Sequence, residues 1–543
     1  MAAAGELEWR RLLHKICEGF SSLSGSPTEL YKAYLLKFLD SYSYFSFSII
    51  FTLFLSEDFG FGDVAAGSIY GAWGALVTVY GLVSGVMVDN MGVAMSLKVG
   101  FSLSLLSRIS IFFANSKTVL LWNVCLLLPM GNCLGIPVLT TGIRRYTTAS
   151  NRGFAFGLFY VIMNVAALLS GPVVDMCTIL HKDKNNAEAD SNDDAGSNVE
   201  DDGALPEWSL TGYRIVILTG IIANVLAVLV AFTVREIKLD DKQQAPIAAA
   251  DATNDSNSSS KTTPSVSTFQ PLKGSPTQIL RETLSTPSFW RFLAVVMITL
   301  NIRMIFRHLD ATLPKYMVRE FGPSTPKGTI YSINPALIII LVPIVQAATR
   351  DVNPLVMIHY GIYISAASVF CLVISTSVTA CVFFVVVLSI GEAIWSPRLY
   401  DYTMSISKEG REGTYMALSS APLFLAKLPV GFMSGYLLQK YCPEEGERNS
   451  KMMWLIIALS TVASPILLTV FWGYVSKKDE DDVKVELKDF DDENSVTEYM
   501  ADETPFTEEV NESSNLVIQR KNVPSASSSR ASNISDEDSK EVV

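Results

Sequence analysis

Histidine is scarce in this 543-residue sequence, with four in all, each isolated from the others. The seven cysteines are scattered and show no CxxC pair, which argues against a thiolate metal site and against a disulfide framework. Cys177 and Cys442 are expected on the same outer side but in different halves, so no bridge is assigned to them. There is no GxxxxGK[ST] loop to cradle a nucleotide and no nucleophile elbow, so neither an ATP-driven machine nor an acyl-transfer enzyme is indicated. No cofactor is expected. A cleavable leader is not expected either, because charges interrupt residues 6–20 before an apolar stretch can form. Trp9, Leu12, Leu13, Ile16 and Phe20 keep helical spacing beside Arg10, Arg11 and Lys15, which fits a short interfacial helix on the cytoplasmic face, with a frayed tail as the alternative. Basic patches for nucleic acid are lacking too. The net charge is −12, and its excess sits in acidic tracts such as DSNDD, KKDEDD and SDEDSKE, which read as solvated linkers and tails.

What the sequence does have is long apolar runs. Hydrophobic residues make up 49% of the chain, and the mean hydropathy is +0.31. Twelve runs stand at 33–55, 64–88, 95–114, 118–139, 153–175, 213–234, 288–313, 329–348, 354–375, 378–397, 414–438 and 452–475. Each is about 20 residues, the length a helix needs to cross roughly 30 Å of hydrocarbon. The expected fold class is therefore all-α and integral to a membrane, with twelve transmembrane helices in two six-helix halves related by pseudo-symmetry. The organisation that follows is a cytoplasmic N-terminal segment 1–32, a first half 33–234 carrying an acidic external insert 176–212, a linker 235–287, a second half 288–475 and an acidic cytoplasmic tail 476–543. Pro137 to Gly153 and Pro397 to Gly413 span the same 16 residues, each bracketing a charged loop, as an internal repeat would. Lys98, Arg144, Arg145, Arg152, Arg350, Arg398, Lys408 and Arg411 fall on one set of loops, which places both termini in the cytoplasm. The membrane is either the plasma membrane or that of an organelle.

Residues 81–92, GLVSGVMVDNMG, place Gly85, Asp89 and Gly92 where the loop motif of the major facilitator superfamily has them, and this stretch resembles that conformational-switch motif. The arginines that usually follow are replaced by Asn90, Val93 and Ala94. Within that superfamily the chain is most similar to the proton-coupled oligopeptide transporter (PTR) branch. FAFGLFYVIMN (154–164) resembles its fifth helix, YSINPALIIILVPIV (331–345) its eighth, LSIGEAIWSP (388–397) its tenth, and FLDSYSYFSF (38–47) its aromatic first helix. The resemblance implies a major facilitator fold, a small-molecule solute as partner, and a polar substrate contact at Asn164. It also implies an acidic contact or proton carrier at Glu392. The chain departs from the branch in the first helix, where Lys37 and Asp40 stand in place of its acidic-basic cluster, and in the fourth, where Ile136 precedes Pro137.

The seventh run contains the most unusual stretch, NIRMIFRHLDATLPKY (301–316). A charge at the centre of a membrane helix costs about 2.5–3.5 kcal/mol, so such residues are functional candidates. Arg303 and Arg307 are four apart and Arg307 and Asp310 three apart, so all three share one face. Asp310 is expected to neutralise Arg307, leaving Arg303 to capture an anionic group. The alternative ends the helix near Phe306 and makes the cluster an interfacial one. Lys37 and Asp40 are expected to pair locally, and Glu392 is offered either a substrate amine or Lys427 as partner. His308 points off the stripe, Arg108 has no evident partner, and Tyr42, Tyr44, Tyr70 and Trp73 either line a cavity or pack.

The functional expectation is a secondary active transporter of a small polar organic solute, peptide- or amino-acid-like, working by alternating access. Substrate contacts would be Arg303, Arg307, Asn164 and Glu392. Proton-coupling or ion-pair positions would be Lys37, Asp40, Asp310, Glu392 and Lys427, with the proton as co-substrate. Two alternatives stand beside it: a transporter of an inorganic or organic anion, and a non-transporting membrane sensor on the same fold.

Overall fold

In hydrocarbon, every backbone N–H and C=O must be satisfied by the protein itself, and an apolar run of about 20 residues does this within its own segment as a helix. A computed structural model of the chain describes residues 17–148, 151–192, 209–236, 285, 287–349, 352–406 and 422–476. Among the described residues, ten helices are long and apolar enough to cross a membrane, against the twelve expected. The two runs not among the ten, 64–88 and 414–438, include residues outside the described backbone or side chains. Of the interfacial helix expected over 6–20, residues 17–23 are helical and 1–16 lie outside the described set.

The first half comprises α1 (Thr28–Glu57), α2 (Asp63–Phe112), α3 (Lys117–Trp122), a π-helical stretch Asn123–Leu127, α4 (Leu128–Tyr146), α5 (Arg152–Asn192) and α6 (Gly212–Thr233). The second half comprises α7 (Pro287–Ala311), α8 (Leu313–Phe321), α9 (Lys327–Ala348), α10 (Pro354–Ser368), α11 (Phe370–Ile374), α12 (Val378–Ile406), α13 (Pro422–Leu425), α14 (Lys427–Tyr441), α15 (Ser450–Val470) and α16 (Trp472–Val475). Polar side chains open several helices: Ser116 accepts from Val119 N, Thr211 from Arg214 N, Asn353 from Leu355 N and Asn449 from Met452 N. Each satisfies an amide that the helix itself leaves unpaired. The acidic insert expected to begin at 176 begins instead as helix, since α5 continues to Asn192.

α2 holds two of the expected spans in one run, bent at Gly92, whose φ of 79° is a conformation that favours glycine. Glu236, just past the end of α6, fixes this bend. It accepts from Ala94 N at 2.7 Å and from Arg145 at 2.8 Å, and a Cβ on Gly92 would come within 2.9 Å of its carboxylate. Where the switch motif usually has arginines, a carboxylate from α6 holds the joint. Only the helical backbone is described at Gly85 and Asp89.

Two apolar cores divide the bundle. One lies wholly within the first half, near the face where α1 begins, and includes Leu30, Leu36, Phe101, Leu139 and Ala227. The other includes Phe47, Phe51, Trp73 and Ile217 of the first half together with Ile305, Tyr316, Trp395 and Trp454 of the second. The halves thus share a core towards the far face, where α1 ends, and the near-face end of the first half has its own. Large apolar side chains such as Ile374 (77% exposed) and Val470 (70%) project outward, as lipid-facing positions do.

Candidate functional site

The charged stripe of α7 lies inside the bundle. The helix runs unbroken to Ala311, with Arg303 6% exposed and His308 and Asp310 fully buried. This excludes the interfacial alternative, in which the helix ends near Phe306. Arg307 and Asp310, one turn apart, form an ion pair at 2.9 Å. Asp310 Oδ2 also accepts from two hydroxyls of the other half, Ser48 on α1 at 3.0 Å and Tyr70 on α2 at 3.2 Å. The carboxylate therefore ties three helices together. Its second oxygen, Oδ1, is buried without a hydrogen-bond partner among the described residues. His308 faces elsewhere and bonds Thr312 at 2.6 Å, which in turn donates to Ser434 at 2.8 Å.

One turn before the pair, Arg303 stacks on Trp395 of α12, 5.2 Å from guanidinium carbon to ring centroid. Its Nε and Nη2 are buried with no hydrogen-bond partner among the described residues. Glu392, also on α12, accepts from Asn334 Nδ2 of α9 at 2.8 Å, and the same amide donates to Ser389 at 3.1 Å. Arg303 and Arg307 are the cations whose fields reach Glu392.

The ion pair considered between Glu392 and Lys427 is absent. Lys427 opens α14 facing the first half instead, its Nζ 3.5 Å from the centroid of Trp73, 4.7 Å from Tyr70 and 4.9 Å from Tyr44. α14 packs so closely on α2 at Gly74 that a Cβ there would fall 2.3 Å from Lys427 Cβ, which directs the lysine into the rings. The local pair expected between Lys37 and Asp40 is not among the ion pairs of the described residues either. Lys37 lies over Phe159 at 4.8 Å. Asp40 lies against Gly135, in the field of both Lys37 and Arg108. Arg108, left without a partner by the sequence, is buried over Phe47 at 5.5 Å. Asn164 is buried and donates to Tyr160 O of its own helix at 2.9 Å. Tyr42 donates to Thr219 at 3.1 Å.

Sequence reasoning missed the far-face clamp. Asp63, at the start of α2, pairs with Lys315 and Arg319 of α8, each at 2.8 Å. Lys315 also reaches Ser56 of α1 at 2.5 Å, and Arg319 donates to Cys442 O at 2.7 Å. The i,i+4 spacing of Lys315 and Arg319 was the available signal. At a second point Asp175 of α5 accepts from the Gly328 and Thr329 amides at 2.8 and 2.6 Å, a carboxylate against the positive N-terminus of α9. Backbones touch beside both. A Cβ on Gly67 would lie 2.2 Å from Gly431 O, and one on Gly171 2.0 Å from Gly328 O. Each of these contacts joins the halves on the far side.

Burial works against the charge on Asp63, but the hydrogen bonds and charges of Arg319 and Lys315 outweigh it and hold the carboxyl below its usual range. A depressed carboxyl contributes stability that is complete above its unfolded pKa, about 3.9, and is lost only as pH falls through the lower folded value. Acidification from pH 7 to 5 is therefore expected to leave the clamp shut, whereas Asp63→Asn weakens it at both values. The reporter is Thr52→Cys in a background free of native cysteines. Thr52 is buried at the junction, donating to Ala311 O at 3.3 Å. Its labelling by an impermeant maleimide should stay slow across that pH range and speed up in the Asn variant; faster labelling at pH 5 without the mutation would contradict this.

Residues 33–426 match the family model described as Major Facilitator Superfamily. Among solved structures, the chain is similar to a POT family transporter in complex with a thioalcohol-conjugated peptide, with a TM-score of 0.62, 13% identity, and 84% of this chain and 98% of that one covered. It is similar to a point mutant of the nucleoside transporter NupG, with a TM-score of 0.59, 10% identity and coverage of 82% and 99%. It is also similar to a bacterial homologue of the human lysosomal transporter Spinster in an inward-facing, unoccupied conformation, with a TM-score of 0.58, 15% identity and coverage of 82% and 95%. No curated protein matches the sequence.

Proposed function

Because this chain belongs to the Major Facilitator Superfamily, we propose that it is a secondary active transporter of a small polar solute of the peptide or amino-acid type. Transport proceeds by alternating access between the two halves, and Asp40, Asp310 and Glu392 are the positions offered for proton coupling. The observation that carries the substrate class is the guanidinium of Arg303, buried with Nε and Nη2 lacking a hydrogen-bond partner among the described residues and within the field of Glu392. Buried donors of this kind are stabilised by a planar anionic group that can take two N–H bonds at once. Glu392 supplies the opposite charge for a solute amine, displacing or sharing its bond from Asn334. Arg307 stays with Asp310, and Asn164 adds a neutral contact. The peptide complex of the POT family relative supports the same class. A second reading, transport of an organic or inorganic anion, is favoured by the same unpaired donors of Arg303 without the contribution of Glu392.

Uptake into proteoliposomes under an inside-alkaline pH gradient tests both. With dipeptides, amino acids and small anions as the panel, amine-containing acids should accumulate, and Arg303→Ala should reduce uptake by at least about tenfold, the loss of one charged hydrogen bond of about 1.5–3 kcal/mol. Accumulation of simple anions alone moves the protein to the second reading. Unchanged uptake in Arg303→Ala removes the arginine from the substrate site.

A further inference from the structure

With its expected pairing to Glu392 absent, Lys427 is left without a role in the transport reading. It is fully buried, and its ammonium has no hydrogen-bond partner among the described residues. An ammonium offers three donors, and burying one unpaired is far costlier than burying a methionine or leucine of similar length. Packing alone therefore does not account for a lysine at this position. Its surroundings do. Trp73, Tyr70 and Tyr44 stand around it at 3.5, 4.7 and 4.9 Å, and the negative faces of such rings attract a cation strongly once water is excluded. The Arg307–Asp310 pair also reaches it, the arginine's field opposing the ammonium and the weaker field of the aspartate favouring it, so the rings are the groups that accommodate the cation.

The two parts of this arrangement belong to different halves. The rings lie on α1 and α2 of the first half, and the cation is carried by α14 of the second. Any movement that parts α2 from α14 draws the ammonium out and leaves an aromatic box that is built for a cation and empty. Tyr70 and Trp73 are fully enclosed, whereas Tyr44 is only partly buried, so the box opens on the Tyr44 side.

We propose that Tyr44, Tyr70 and Trp73 form a second recognition site for a solute ammonium, on the first half and apart from Glu392 of the second, and that Lys427 is its tethered occupant while the far side is closed. A solute amine and Lys427 then compete for one place, so that return of the lysine accompanies release. That this solute is a transported one rests on the transporter reading; ligand binding to the box is measured without transport, so the failure of either is visible separately.

Lys427→Ala removes three methylenes and the ammonium, the atoms of n-propylammonium. Added to the purified full-length variant, n-propylammonium is expected to raise Tm saturably by at least about 2 °C, as a ligand specific to the folded state does. The neutral analogue 1-propanol should not, and the unsubstituted protein, with its box filled, should not respond to either. Lys427→Met, which fills the box with an uncharged chain of similar length, should fold and also fail to respond. Adding Trp73→Leu to Lys427→Ala should abolish the response. If Lys427→Ala proves too unstable for a melting curve, the readout is its monodisperse yield when purified with and without n-propylammonium, with a gain expected. The proposal is overturned if 1-propanol acts as well as the ammonium, if the unsubstituted protein responds equally, or if neither Tm nor yield changes.

Discussion

Asp310→Ala is expected to be the most damaging single substitution in the chain, lowering stability by about 3–5 kcal/mol and abolishing transport. The carboxylate is the only acidic group paired with Arg307 among the described residues, and it accepts from Ser48 and Tyr70 across the junction of the halves. Its removal leaves a guanidinium uncompensated in a buried site and two hydroxyls without their acceptor. Most of that penalty comes from the stranded charge rather than from the lost bond, so removing both charges should cost less than removing one. The double variant Arg307→Met/Asp310→Leu should therefore melt closer to the unsubstituted protein than Asp310→Ala does, while remaining inactive. Thermal unfolding followed by tryptophan fluorescence, with uptake measured on the same preparations, decides it. An Asp310→Ala protein as stable as its parent, or a double variant less stable than both singles, would show that the pair does not hold this part of the bundle.

Gly171→Val is expected to leave the protein folded but to prevent the far side from closing. In the closed arrangement the new Cβ would lie 2.0 Å from Gly328 O and 2.1 Å from Ser332 Oγ, and the backbone oxygen cannot turn aside as a side chain can. The conflict is relieved only when α5 and α9 move apart. Overpacking of about 1–3 kcal/mol placed on one of two states shifts their ratio by about 5–150-fold. Transport should fall accordingly, and the buried cysteine at position 52 should label faster in proportion. Gly157→Val supplies the control, since a Cβ on that glycine of the same helix meets nothing within 4 Å. Equal labelling rates in the two glycine variants would separate the α5–α9 contact from conformational change.

The resemblance to a transporter family was readable from GLVSGVMVDNMG and from the patterns around Asn164, Asn334 and Glu392, because those motifs are local. The Arg307–Asp310 pair was readable for the same reason: three residues along a helix is one turn, wherever the helix packs. The same rule failed for Lys37 and Asp40. Spacing puts them on one face but does not decide where each side chain points, and Phe159 from α5 draws the lysine away. The partner of Lys427 was misassigned for a stronger reason. Glu392 and Lys427 are both charged and both in the second half, but α14 turns its lysine towards α1 and α2 of the other half.

By itself, then, the sequence determined that the chain is helical, that it belongs in a membrane, and that α7 carries charge where lipid does not accept it. Hydropathy and helical spacing are properties of adjacent residues, and in a bilayer an apolar run of about 20 residues satisfies its backbone as a helix. Tertiary structure alone decided which charges meet across the two halves. Asp63 finds Lys315 and Arg319, Asp175 caps α9, and Lys427 enters a box of rings because glycine pairs such as Gly67 with Gly431 and Gly171 with Gly328 let backbones from distant segments touch. Contacts of that kind are set by how two packed bodies lie against each other, and no spacing within one helix encodes it.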